Sequence, residues 1–231
     1  MTGGRPVGRP QSRFIAAGVH GRYLVDAPAG PGPHPLLVGF HGYKENAEAH
    51  LEQLQRVPGA GGFVLVAVQS LHLFYSKGID VVGSWMTRLG REHAIEDNVR
   101  YVAAVVAEVK RDQPAAAGLV YVGFSQGAAM AYRAAARAGH PCDGLVVLGG
   151  DMPPEIADDP STTLPPVLVG RGEADGWFTR ERLEQDLGRL ARLGVSARSV
   201  VFPGGHEWTE QFRAAMGEFL SSIRLPRSAA P

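Results

Sequence analysis

Short apolar runs bounded by turn residues recur along the chain, separated by longer stretches in which apolar positions return with helical spacing. Leu36 to Phe40, Phe63 to Val68, Leu119 to Val122, Leu145 to Leu148, Val167 to Gly170 and Ala197 to Phe202 read as strands. Apolar runs without polar alternation suit strands covered on both faces, as in a parallel sheet. Between them, Ala47 to Arg56, Glu92 to Arg111, Gln126 to Arg137, Arg180 to Leu193 and Glu210 to Ile223 carry helical patterns. This alternation predicts an α/β fold with a mostly parallel central sheet and helices on both faces. Upstream, Arg13 to Ala17 and Tyr23 to Val25 read as two strands about a His20-Gly21 turn, a hairpin opening the sheet. Gln69 to Arg91 and Gly149 to Pro166 fit neither period and are expected to be irregular.

A chain of 231 residues suits one domain, expected over residues 13–224, with flexible ends at 1–12 and 225–231. Lys plus Arg and Asp plus Glu number 23 each, so no net charge draws the protein to nucleic acid or anionic lipid. No apolar run is long enough for stable membrane insertion, and the start lacks the apolar core of a signal peptide, so a cytoplasmic location is expected. The single cysteine, Cys142, excludes an intramolecular disulfide and reads as structural. With no cysteine cluster and no paired helical histidines, no metal site is expected. The glycines of Gly59-Ala60-Gly61-Gly62 lack the Lys-Ser/Thr of a phosphate loop and fit a turn, so no cofactor is expected either. Composition sets no oligomeric state.

The sharpest chemical signal is Gly123-Phe124-Ser125-Gln126-Gly127, placed directly between an apolar strand and a small-residue helix. Reactive groups gather at the carboxyl ends of strands in an open parallel sheet, and G-x-S-x-G in this context makes Ser125 a nucleophile on a strained turn. Side chains at the two glycine positions would collide with neighbouring backbone. The Gln126 N–H, at a helix start, is free to stabilise an oxyanion.

A serine needs a base and an orienting acid to react. His206 comes after the last strand in Phe202-Pro203-Gly204-Gly205-His206-Glu207, and Asp175 after the strand before it. Ser, Asp, His is the chain order of α/β-hydrolases. Asp151, after Gly149-Gly150, is the other candidate acid, but Met152-Pro153-Pro154 suits it to a turn-forming role. His20, His34, His50 and His140 lie in contexts typical of solvated residues, and His72 and His93 come before the nucleophile. In Phe40-His41-Gly42-Tyr43, His41 reads as a loop-shaping hydrogen-bonder and the Tyr43 N–H as the second oxyanion donor. Phe74, Trp85, Met86 and Trp177 are candidate walls of an acyl pocket, with ordinary packing the equally open alternative.

Together, His41-Gly42, Gly123-Phe124-Ser125-Gln126-Gly127, Gly172-x-x-Asp175 and Gly204-Gly205-His206-Glu207 resemble the phospholipase/carboxylesterase family, which includes the acyl-protein thioesterases. The resemblance runs from about Leu36 to Leu220. It implies an α/β-hydrolase fold and a cofactor-free Ser-Asp-His esterase acting on small carboxylic esters, and in some members on thioesters or lysophospholipids. The chain departs from the family at Gly176-Trp177-Phe178-Thr179 and at Tyr43-Lys44-Glu45-Asn46, both flanking the reacting residues and leaving them unchanged. A serine carboxylesterase is the expectation. A thioesterase, lysophospholipase or acyltransferase would use the same triad, and a non-catalytic receptor on the same scaffold would not need all three residues.

Overall fold

The computed structural model describes residues 11–30, 32–113 and 118–225, so most of the two expected flexible ends lies outside the described residues. The main sheet has seven strands: β1 (Tyr23–Asp26), β2 (Leu36–Phe40), β3 (Val64–Val68), β6 (Leu119–Phe124), β7 (Gly144–Leu148), β8 (Val167–Gly172) and β9 (Ala197–Phe202). Their spatial order is β1-β3-β2-β6-β7-β8-β9, with only β1 antiparallel to its neighbour. Five longer helices cover it: α1 (Ala47–Gln55), α2 (Arg91–Asp112), α3 (Gln126–Arg137), α5 (Arg180–Arg192) and α6 (Glu210–Ser222).

Alternate residues of the central strands enter two separate cores, because side chains along a strand point to opposite faces. Leu36, Val38, Phe40, Val66, Tyr121 and Val147 pack with α2, α3 and α5. Leu37, Leu65, Val120, Val122, Val146 and Leu168 pack with α1 and α6. In α2, Ala94, Ile95, Asn98, Val102, Val105, Val106 and Val109 form the buried stripe. Each fully buried valine or leucine contributes on the order of 1.5–3 kcal/mol relative to exposure. Caps set two helix starts: Asn46 Oδ1 accepts from the Ala49 N–H at 2.9 Å, and Thr209 Oγ1 from the Phe212 N–H at 3.2 Å.

Three sequence expectations change. Only the second arm of the opening hairpin is a strand, and its partner is β3 rather than Arg13 to Ala17. That first arm stays on the surface with Ile15 94% exposed, so it buries too little apolar area to hold a sheet register. The stretch Gln69 to Arg91 contains a separate two-stranded hairpin, β4 (His72–Tyr75) with β5 (Val81–Ser84), turning through Gly78 at φ +83°. Its strands are short and partly exposed, which hides the alternation. Gly149 to Pro166 contains a single helical turn, α4 (Pro154–Ala157), started by a proline whose missing N–H costs nothing there.

Candidate active site

Ser125 sits between β6 and α3 with φ +53° and ψ −119°, a conformation unfavourable for any residue with a Cβ. The surroundings enforce it. The Ser125 N–H donates to the Leu148 carbonyl at 2.8 Å, tying the turn to β7. A Cβ on Gly123 would lie 2.2 Å from the Gly127 carbonyl oxygen, and one on Gly127 would lie 2.0 Å from that of Phe40. Both glycines are therefore required by the close approach of strand, turn and helix. The same packing brings Gly150 against Ser125, where a Cβ would meet the serine carbonyl oxygen at 2.3 Å.

His206 and Asp175 leave the neighbouring strands on loops pressed against each other. The Ala174 N–H donates to the Gly204 carbonyl at 2.8 Å, and a Cβ on Gly172 would stand 2.1 Å from the Gly205 carbonyl oxygen. His206 Nδ1 lies 2.8 Å from Asp175 Oδ2, and His206 Nε2 lies 2.7 Å from Ser125 Oγ. An ionised carboxylate only accepts hydrogen bonds, so Nδ1 carries the proton and Nε2 is left to accept from the serine hydroxyl. The other oxygen of Asp175 accepts from the Trp177 N–H at 2.8 Å and the Phe178 N–H at 2.9 Å, which fixes the carboxylate in a buried position. Asp151, the alternative acid, is instead half-exposed and ion-paired to Arg182 at 2.6 Å.

The loop after β2 is held by its own side chains and by the β4–β5 hairpin. Glu45 Oε2 accepts from the Gly42 N–H at 2.7 Å, while Gly83 of β5 accepts from the Lys44 N–H at 3.1 Å and donates to the Glu45 carbonyl at 2.9 Å. The Tyr43 N–H has no protein acceptor among the described residues. Gln126 occupies the first helical position of α3, so its N–H lacks an intrahelical partner. Its side chain is clamped, with Oε1 accepting from the Trp85 N–H at 2.8 Å and Nε2 donating to the Met86 carbonyl at 3.1 Å. Burial raises the Glu45 carboxyl above its ordinary value, against the pull of the Gly42 N–H and of His206.

His41 is fully buried in this loop. Its Nε2 accepts from the Ser70 N–H at 3.1 Å, so Nδ1 carries the proton and donates to the Gly42 carbonyl at 2.7 Å. Burial lowers its pKa to about 4, which keeps the imidazole neutral. His50, expected to be solvated, is buried beside it, and burial lowers its pKa to about 3. The reason lies in Gly39: a Cβ there would stand 2.5 Å from the His50 ring, so the missing side chain on β2 makes room for the imidazole of α1.

A cleft of about 340 Å³ opens at Ser125 and His206. Met86 and Trp177 line it, the latter 77% exposed. Two of the four expected pocket walls do not. Trp85 is wholly buried, packs edge-on against Phe40, and donates its Nε1–H to the His41 carbonyl at 2.8 Å, so it braces the loop after β2. Phe74 packs against the Tyr43 ring, at 5.7 Å between centroids, outside the cleft. Sequence reasoning passed over Arg91, Arg133 and Arg182, which line the cleft from α2, α3 and α5. Only the spatial arrangement of those helices brings them together. Among the described residues no cluster of three or more His, Cys, Asp or Glu is arranged to hold a metal ion, and no helix is long and apolar enough to cross a membrane.

No family model and no curated protein matches the chain. Solved structures do. Esterase PE8 superposes with a TM-score of 0.75 at 22% identity, covering 89% of this chain and 100% of that one. A carboxylesterase from Mesorhizobium loti gives 0.71 at 19% identity, covering 87% and 94%. A phospholipase/carboxylesterase from Dyadobacter fermentans gives 0.67 at 19%, covering 88% and 97%. These three neighbours, named an esterase, a carboxylesterase and a phospholipase/carboxylesterase, each match most of the chain. At these identities the shared property is the fold, and the mostly parallel seven-stranded sheet with flanking helices is that of the α/β-hydrolases.

Proposed function

We propose that this protein is a serine carboxylesterase acting on small carboxylic esters, with Ser125 as nucleophile, His206 as general base and Asp175 as the orienting acid. The observation that carries the reading is the unbroken chain from Asp175 through His206 to Ser125, with both contacts at hydrogen-bond distance. Ser125 Oγ attacks the ester carbonyl carbon while His206 Nε2 takes the hydroxyl proton. The developing oxyanion lies against the N–H groups of Gln126 and Tyr43. Collapse breaks the ester bond, and His206 returns the proton to the departing alcohol. Water then attacks the acyl-enzyme, with His206 again as base, and the acid leaves. His206 relays each proton between Ser125, the departing alcohol and the incoming water, so the steps need no cofactor.

A fluorophosphonate probe tests this without knowledge of the substrate, because it modifies only an activated serine. The wild-type protein is expected to label at Ser125 and to hydrolyse p-nitrophenyl esters. Ser125→Ala is expected to lose both while remaining folded, since alanine removes one hydroxyl and adds nothing to the turn. Undiminished hydrolysis in folded Ser125→Ala would refute the mechanism. Thioester and ester pairs with one acyl chain, assayed with and without an alcohol acceptor, separate esterase from thioesterase or acyltransferase action.

A further inference from the structure

The cleft beside Ser125 is walled by arginines to a degree that a purely apolar acyl pocket does not require. Arg91, at the start of α2, and Arg133, on α3, both direct Nη1 at the Met86 sulfur, at 3.0 and 3.7 Å. A thioether is a weak, neutral acceptor, so two guanidinium Nη1 donors converge on a group that carries no charge. Arg133 is wholly buried. Its Nε donates to Glu155 Oε1 at 2.7 Å, and its Nη2 lies 2.6 Å from the same oxygen but without hydrogen-bond alignment. One carboxylate oxygen cannot satisfy the whole guanidinium fork, and buried donors left unpaired point to a missing partner.

The charges do not cancel. Of the three arginines lining the cleft, Arg182 is paired with Asp151 and Arg133 with Glu155, whereas Arg91 has no ion-pair partner among the described residues. A cleft with one uncompensated positive charge and low-dielectric walls attracts anions.

Resting on the esterase reading, we propose that the preferred substrates are esters carrying a carboxylate, which displaces the Met86 thioether and is held by Arg91 and Arg133. Methionine suits this displacement because its side chain is unbranched and adapts readily. Helix geometry sets the reach. Arg133 lies eight residues beyond Ser125, about 12 Å along the α3 axis. Its side chain leans back toward the helix start and covers roughly half of that. On the order of four to six bonds therefore separate the reacting carbonyl from the carboxylate.

Matched ester pairs test the proposal on either side of the ester bond. On the acyl side, mono-p-nitrophenyl adipate is compared with p-nitrophenyl hexanoate; on the alcohol side, 4-acetoxybutanoate is compared with butyl acetate. In at least one pair the carboxylate ester is expected to have a kcat/KM about tenfold or more above its neutral partner at low salt, carried mostly by KM. Arg91→Gln should lower that ratio by about tenfold, and added salt should lower it in the wild type. Arg91 is at the surface, so this variant avoids the folding risk of altering Arg133. Ratios of one or below in both pairs, or a ratio unchanged in Arg91→Gln, would overturn the carboxylate site. Probe labelling and turnover of neutral esters without a carboxylate preference rejects this inference alone. Absence of labelling and of all ester turnover rejects the esterase reading and this inference with it.

Discussion

Replacing Asp175 with asparagine preserves shape and removes charge, and the surrounding hydrogen bonds determine how the amide must sit. One oxygen of Asp175 accepts from two backbone N–H groups, those of Trp177 and Phe178, at 2.8 and 2.9 Å. An asparagine must keep its carbonyl oxygen there, since its NH₂ would otherwise face two donors. The NH₂ is then turned toward His206 Nδ1, which lies 2.8 Å from Asp175 Oδ2. Two donors cannot meet, so the imidazole moves its proton to Nε2 and can no longer take the one on Ser125 Oγ. The lost tautomer and the lost stabilisation of the imidazolium together predict a fall in kcat of about 10⁴, as the corresponding change does in the trypsin-type triad. That corresponds to about 5 kcal/mol on the barrier. Folding stability should change little, because the two backbone bonds survive. Steady-state hydrolysis of a p-nitrophenyl ester by Asp175→Asn and Asp151→Asn, with thermal melts as the folding check, measures both. Asp151 is half-exposed at the cleft wall and its carboxylate is bound only to Arg182, not to His206, so its variant should retain activity. A folded Asp175→Asn enzyme within tenfold of wild type would refute the argument.

The packing predicts two other outcomes. His41 and His50 have folded pKa values of about 4 and about 3, both below the ~6.5 of a free imidazole, so the unfolded chain takes up protons first as the pH falls. Their contribution is complete above pH ~6.5 and is lost down to those folded values; at pH 5 each has removed about 2 kcal/mol, partly opposed by Glu45 and Asp186, whose carboxyls burial raises. Urea melts at pH 8 and pH 5 measure this, and equal stabilities would contradict two buried neutral imidazoles. Gly127→Ala would place a Cβ 2.0 Å from the Phe40 carbonyl oxygen, driving the start of α3 from the loop after β2. It is expected to lower kcat by about 10²-fold and stability by about 1–3 kcal/mol. Gly188→Ala, with open space on α5, should do neither, and equal activity in the two variants would refute the required close approach.

Much of the fold was legible because it is written locally. A strand buried on both faces reads as a short apolar run, and β2, β3, β6, β7 and β8 all announce themselves this way, whereas β9 is a largely exposed edge strand. The turn at Ser125 is equally local: strand, glycine, serine, glycine and helix succeed one another within one short segment, and each glycine has a steric cause inside it or beside it. The order of Asp175 and His206 along the chain marks them as candidates, and the structure brings both to Ser125. Asp151 and Asp175 both come after strands at the same edge of the sheet, so chain position alone leaves either open as the acid.

What the tertiary structure decided depends on contacts between segments distant in sequence. The β4–β5 hairpin is too short and too exposed to show a period, and its role becomes visible only in its bonds to the loop after β2. An aromatic residue reads the same whether it lines a cleft or fills a core, so Trp85 and Trp177 look alike in sequence and separate only by burial. His50 reads as a surface-helix residue until Gly39 of β2 is found beneath it. Arg91, Arg133 and Arg182 carry no common spacing or motif, since three helices deliver them to one cleft. Periodicity records which face of a segment is buried. Which side chains then meet is set by strand order and by the direction each helix takes across the sheet.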